Sequence, residues 1–318
     1  MFVVDHDNTR ESRDLVSAIV ASGYFDVTGR SQAPADLVRA LDHGDAVLGL
    51  EIPRGYAQAW LGDGGAPIQV LIDGTNSNTA AVAQGYITRI IEGRAAGRAL
   101  AGAALPVDLR ERAWYNPELS SRNYNVPAVV GTLIMLVCLL LTSLAIVRER
   151  EIGTLEQLKV SPLTAGELIV GKTLPFGIIG MGDLVLVTTV AVLWFGVPLR
   201  GSLLLLFLAS VSFVMAGLGM GLLISTVSKT QQEAFMGTFL VFMPVLLLSG
   251  FMFPVSSMPG IFQDLTILNP VRHYIEIVRA IFLKGTGLDV LWPQFLALLL
   301  LGTALLTLAT LRFRREIA

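Results

Sequence analysis

Residues 166–173 read Gly-Glu-Leu-Ile-Val-Gly-Lys-Thr, which satisfies the G-x-x-x-x-G-K-[ST] pattern of a phosphate-binding loop letter for letter. That chemistry needs a buried strand before the loop and a soluble helix after it, so that backbone N–H groups wrap a phosphate. The sequence supplies neither. Thr164 and Glu167 form a T-x-x-E capping box, which places Gly166 to Lys172 in the first turns of a helix, and Thr173 leads straight into an apolar run. No acidic strand end for Mg²⁺ follows, so Lys172 is read as a membrane-edge anchor and the nucleotide reading is refused. Asp183, eleven residues further on, is a carboxylate in the middle of that run. Such a group is costly in hydrocarbon and points to a substrate contact, a proton site or a hydrogen bond between helices; a protonated Asp paired with Ser or Thr is the structural alternative. Other reactive sets are missing. His6, His43 and His273 are scattered, neither G-x-S-x-G nor H-E-x-x-H occurs, and the single Cys138 lies in an apolar run as a small core residue. The expectation is a chain that catalyses nothing and binds no cofactor or metal of its own.

The elements that position these residues are set by composition. A hydrophobic fraction of 53% with only 15% charged residues lies outside the range of soluble domains and points to an integral membrane protein. The net charge of −2 is unevenly placed: residues 1–125 carry 15 acidic residues and 11 Arg but no Lys. Nothing in this balance suggests a nucleic-acid partner.

Residues 1–125 read as an α/β domain, with strands near Phe2 to Val4, Phe25 to Val27, Ala46 to Ile52, Ile68 to Ile72 and Val107 to Ala113. Helices are expected over Arg10 to Ala21, Ala33 to Leu41 and Ser77 to Leu100. Residues 126–318 form the membrane domain, with five spans at about 126–147, 173–199, 202–227, 234–255 and 290–311, since about 20 apolar residues cross a bilayer. Eight basic residues flank one side of these spans (Arg148, Arg150, Lys159, Lys172, Lys229, Arg312, Arg314, Arg315) against four on the other (Arg200, Arg272, Arg279, Lys284). The positive-inside rule puts the 148–172 loop and the C-terminus in the cytoplasm and the N-terminal domain outside. Trp114, Tyr115, Tyr124, Trp194, Phe195 and Trp292 gather at the outer ends, as an aromatic belt would. Gly177, Gly180 and Gly182, with Gly217, Gly219 and Gly221, are read as close helix packing, and Pro244 as a kink.

Two segments outside the spans carry pattern. In the loop, Gly153 breaks the helix leaving the first span, Thr154 with Gln157 forms a capping box, and Ile152, Leu155 and Leu158 share one apolar face. Glu149, Glu151 and Glu156 with Arg148, Arg150 and Lys159 rim that face, the composition of a docking surface. Residues 270–284 alternate Val271, Tyr274, Ile275, Val278, Ile281 and Phe282 with Arg272, His273, Glu276 and Arg279, and Asn269-Pro270 starts the helix. This pattern fits an amphipathic helix lying at the outer interface or dipping into it.

RERE-IGTLEQL-x-x-SPL-x-x-GEL-x-x-GK, STVSKTQQEA, LSGFMFPVSSMP and ILNPVRHYIEIVRAIFLKG occur in that order, behind an opening VVDHDNTRESR. Together they resemble the permease subunits of bacterial type-2 ABC exporters, along nearly the whole chain. The resemblance implies an α-helical integral membrane protein with an N-terminal extracytoplasmic α/β domain, multi-pass in the bacterial inner membrane. It implies a multidrug- or lipid-exporter-like function: outward movement of a hydrophobic or amphipathic substrate, driven by ATP and Mg²⁺ on a separate cytoplasmic ATPase. A second permease copy or paralogue would complete a dimer, and a periplasmic adaptor and membrane lipid are further implied partners. Carried over by position, Glu149, Glu151, Gly153, Thr154, Leu155, Glu156, Gln157 and Leu158 would couple to the ATPase. Lys229, Gln231, Gln232 and Glu233 would make a second cytoplasmic contact, and Asn269, Pro270, Arg272, Tyr274, Glu276 and Arg279 would lie on the outer interfacial helix. The family has six spans with one ahead of the outer domain, whereas five are visible here, which suggests a late-placed start or a truncated gene. A membrane-anchored sensor or assembly protein without transport activity is the alternative.

Overall fold

Along FVVD, successive side chains point to opposite faces of a sheet, and both Val3 and Val4 are buried, so this strand must be covered on both sides. The computed structural model, which describes residues 1–62, 65–99, 107–153 and 165–317, has those covers in place. The chain divides into two compact units, Met1–Tyr124 and Asn125–Ala318.

In the first unit β1 (Phe2–Asp5), β2 (Gly29–Ser31), β3 (Leu48–Ile52), β4 (Ala66–Asp73) and β5 (Val107–Trp114) form one sheet in the order β2-β1-β3-β4-β5. The β3–β4 pairing is antiparallel, and the other pairings are parallel. Val3 joins Leu15, Val16 and Ile19 of α1 (Arg10–Ala21), Tyr56 and Trp60 of α3 (Tyr56–Leu61), and Ile87 and Ile91 of α4 (Ser77–Ala99) in one core. Val4 meets Leu37 and Leu41 of α2 (Pro34–His43) in the other. The second strand falls later than the expected Phe25 to Val27. Phe25 and Val27 pack on the core with their side chains, while the ladder starts at Gly29, where an added Cβ would lie 2.5 Å from the Phe2 ring. Helix α3 had no counterpart in the sequence reading: it is six residues long and starts behind Gly55 at φ +83.

The opening DHDNT builds the turn between β1 and α1. The Asp5 carboxylate accepts from the N–H groups of Asp7 and Asn8 and from the Ser12 hydroxyl, and Thr9 caps α1. Asp7 reaches further, accepting from the N–H of Gly55 at 2.7 Å and of Ala57 at 3.0 Å, so it caps α3 across the fold. Burial pushes the Asp7 carboxyl up, but the Thr9 hydroxyl and the N–H groups of Ala57, Gly55 and Tyr56 outweigh it and hold it below its ordinary value.

The second unit is helical: α5 (Ser121–Ile152), α6 (Ala165–Leu193), α7 (Leu203–Val227), α8 (Gln231–Leu247), α9 (Gly260–Leu265), α10 (Pro270–Arg279) and α11 (Leu288–Ile317). Helix α5 begins in the residues that close the first unit. Helix α7 is the hub, because its glycines remove side chains where neighbours cross. A Cβ on Gly217 would lie 2.9 Å from Cys138, one on Gly221 2.9 Å from Thr142, and one on Gly219 2.7 Å from the backbone N of Leu306 in α11. The 217/221 pair therefore seats α5 and the glycine between them seats α11.

Among the described residues, four helices are long and apolar enough to cross a membrane: Ser121–Ile152, Gly166–Leu193, Leu203–Val227 and Leu288–Arg314. The expected fourth span, 234–255, holds a shorter helix than the other four. Its helix is the 17-residue Gln231–Leu247, about 25 Å long against a hydrocarbon core of about 30 Å. Beyond Pro244, Ser249 turns its hydroxyl back onto the Leu246 carbonyl and Gly250 adopts φ +78, so the chain leaves the helix while the sequence is still apolar. The second span is also displaced: α6 already runs from Ala165, and Trp194 to Arg200 lie beyond its end.

Candidate functional site

The last turn of α5 carries Arg148, Glu149, Arg150 and Glu151, and Gly153 at φ +81 ends the helix behind them. Three of these charges have partners inside the chain. Glu149 pairs with Lys172 near the start of α6. The Arg150 guanidinium donates to the Ser228 carbonyl at 2.7 Å, at the C-terminus of α7. Glu151 accepts from the Gln231 backbone N–H at 2.8 Å and from its side-chain amide at 2.5 Å, at the N-terminus of α8.

Opposite charges on adjacent residues thus read the two helix ends they favour, the cation at a C-terminus and the anion at an N-terminus. The 228–230 turn between them is braced from within. Thr230 caps α8 by accepting from Glu233 N–H at 3.1 Å, and Glu233 accepts from Lys229 N–H at 2.8 Å. The structure therefore joins the two expected contact segments through Arg150 to Ser228 and Glu151 to Gln231, with Lys229 and Glu233 in the same turn and Glu149 turned to Lys172. Gln232 is exposed at the same turn. Thr154, Leu155, Glu156, Gln157 and Leu158 lie outside the described residues, as does the Thr164 cap. Sequence reasoning assigned no role to the Ser228 carbonyl. The signal available was the R-E pair facing a six-residue break between two apolar runs. The phosphate-loop motif is helical from Gly166 onward, with Lys172 spent on Glu149.

The helix expected at the outer interface or dipping into it packs within the helical unit. Helix α10 and the π-helical turn Ala280–Lys284 after it bury Val271, Tyr274, Ile275, Ile277, Val278, Ile281 and Phe282. Tyr274 is fully buried, stacks on Phe213 of α7 with centroids 4.0 Å apart, and shares a 2.7 Å hydrogen bond with Ser210. Gly131 of α5 makes room for its ring, since a Cβ there would come within 2.8 Å of it. The polar side is also used. Asn269 caps α10 and donates to the Val245 carbonyl at 2.7 Å, following Pro270 closes the first turn, and Arg272 donates to the Gln263 carbonyl at 3.2 Å. Arg279 donates to the Gly250 carbonyl at 3.1 Å, and His273 meets the Ile267 carbonyl at 2.8 Å. These bonds satisfy the irregular backbone of 245–267, which could not otherwise remain in an apolar setting. Of the outer residues singled out, Glu276 alone is exposed. Asp183 lies in α6, half-buried, within electrostatic reach of Cys138 and Tyr274.

Among the described residues no three His, Cys, Asp or Glu side chains group as metal ligands. Long apolar helices interlocked through glycine, with charged side chains fastening helix ends, define a multi-pass membrane protein. The sequence profile described as ABC-2 family transporter protein matches residues 1–311, and the chain belongs to that family. It is 33% identical over 317 residues to the probable multidrug ABC transporter permease YbhR of Escherichia coli (strain K12), covering 99% of this chain and 86% of that one. It is 34% identical over 310 residues to the probable multidrug ABC transporter permease YbhS of the same strain, at 96% and 82% coverage. The inner membrane transport permease YhhJ of that strain is 33% identical over 330 residues, at 99% and 85%. The chain is accordingly a permease subunit of that family.

Proposed function

We propose that this chain is the membrane subunit of an ATP-driven exporter in a bacterial inner membrane, moving hydrophobic or amphipathic molecules outward as one half of a permease dimer. ATP and Mg²⁺ belong to a separate ATPase, which grips residues 154–158, the stretch that follows Gly153 in the sequence. The observation that carries this reading is the clasp itself: one turn of α5 holds the start of α6, the end of α7 and the start of α8. A push delivered beyond Gly153 is transmitted to four helices at once. The names of the relatives, two of them probable multidrug permeases, agree with a small apolar cargo.

The test is co-purification in mild detergent with the ATPase encoded alongside the chain. The native chain is expected to retain it, and Leu155→Asp or Glu156→Arg to lose it while the permease still folds and inserts. A native chain that never holds an ATPase sinks the reading and leaves an anchored outer domain as the function.

A further inference from the structure

Asp183 is the only charged residue in any of the five apolar runs, and none of those runs contains Lys, Arg or His. It stands eleven residues from Lys172 and eleven from Trp194, about 16 Å of helix from each end and so near mid-bilayer. Its Oδ2 is shielded and has no hydrogen-bond partner among the described residues. Several hydroxyls of the helical unit are committed, although those of Thr142 and Thr188 have no partner among the described residues. Thr189 donates to Val185, Ser210 to Leu206 while sharing its bond with Tyr274, and Thr238 to Ala234 while sharing one with Ser143. The Cys138 thiol is a weak donor. Among the described residues no cation stands in these apolar runs to pair with this carboxylate.

The helix face that carries Asp183 is otherwise apolar and exposed. Ile179, Leu186 and Val190 stand four residues before it and three and seven after it, on the same helix face, and all three are exposed. Beside it Gly182 is open, since a Cβ there would meet nothing within 4 Å. An apolar body can lie along Ile179 to Val190 while a small charged head reaches the carboxylate over Gly182. A lone carboxylate in hydrocarbon is stabilised by a cation, and here the cation must arrive with the cargo.

We propose that Asp183 recognises the positively charged nitrogen of a lipophilic amine or ammonium, which makes cationic amphiphiles the preferred cargo class. The inference builds on the permease reading but is tested on the chain alone. Fluorescence polarisation is measured on the full chain in detergent with rhodamine 6G, a cationic amphiphile, and Nile red, an uncharged dye of comparable size. The native chain is expected to bind rhodamine 6G, Asp183→Asn to weaken that binding about tenfold, and Asp183→Glu to retain most of it. Nile red binding should be the same in all three. The proposal is overturned if the native chain does not bind rhodamine 6G, if Asp183→Asn binds it equally, or if both dyes are lost together. It is also overturned if Asp183→Asn leaves dye binding intact but splits a homodimer by native mass measurement, which would make the carboxylate a contact between copies. Failure of ATPase co-purification with dye binding intact would count against the permease reading and leave the cation site standing.

Discussion

Asp7 serves a helix 48 residues downstream, and its value depends on charge. With its carboxyl held below the ordinary value, it contributes stability that is fully present above the unfolded carboxylate range near pH ~4 and is lost as pH falls through the folded value. Because Asp7 is largely solvated, the effect is local and screened. Asp7→Ala is expected to weaken α3 by about 1 kcal/mol or less, as loss of a helix cap does. Amide exchange over residues 55–61 should speed up at pH 7 in the variant, and the native chain should approach that behaviour only below about pH 4. Equal protection in both at neutral pH would remove Asp7 from the cap. Sequence alone displays Asp5 and Asp7 as a D-x-D pair after a strand, but a capping partner across the sheet leaves no trace in local spacing. The same holds for Arg150 and Ser228, whose contact spans 78 positions.

Hydropathy makes spans legible because it needs no knowledge of neighbours: crossing hydrocarbon takes length and apolarity, and α5, α6, α7 and α11 have both. It fails for α8, where Leu246 to Val255 remains apolar but a Ser-Gly turn decides the backbone. For α10 the amphipathic pattern placed the helix, but it records contrast between faces and not what covers the polar one. Glycine is the intermediate case: close packing was legible for five of the six glycines read that way, Gly182 being open instead, while the partner of each was not. Gly219→Ala is expected to destabilise the helical unit by about 1–3 kcal/mol, since the added methyl meets the backbone of Leu305 and Leu306, which cannot rotate away. Gly182→Ala, open on every side, should be neutral or slightly stabilising. Thermal unfolding of the two variants in one detergent separates them, and a common midpoint would mean that the α7–α11 crossing relaxes freely.

Across the whole molecule, the clasp at the end of α5 and the α/β unit acquire meaning only from the sides of the membrane they face. The excess of basic residues around 148–172, 228–233 and the C-terminus predicts that the clasp faces the cytoplasm. The single native cysteine provides a direct test. Cys138 is buried against Gly180 and Gly217, so Cys138→Ala removes one small buried atom, at a cost of about 1 kcal/mol, and leaves a chain without thiols. Into that background, Arg10→Cys places a thiol on the exposed face of α1 and Lys229→Cys places one in the exposed turn beside Glu151. Treated as intact spheroplasts with a membrane-impermeant maleimide, the Arg10→Cys chain is expected to react at once. The Lys229→Cys chain should react only after permeabilisation. Labelling in the opposite order would place the clasp outside the cell and remove its access to ATP. Labelling of both from outside would mean that the helices between them cross the bilayer an even number of times, which the positive-inside reading does not allow.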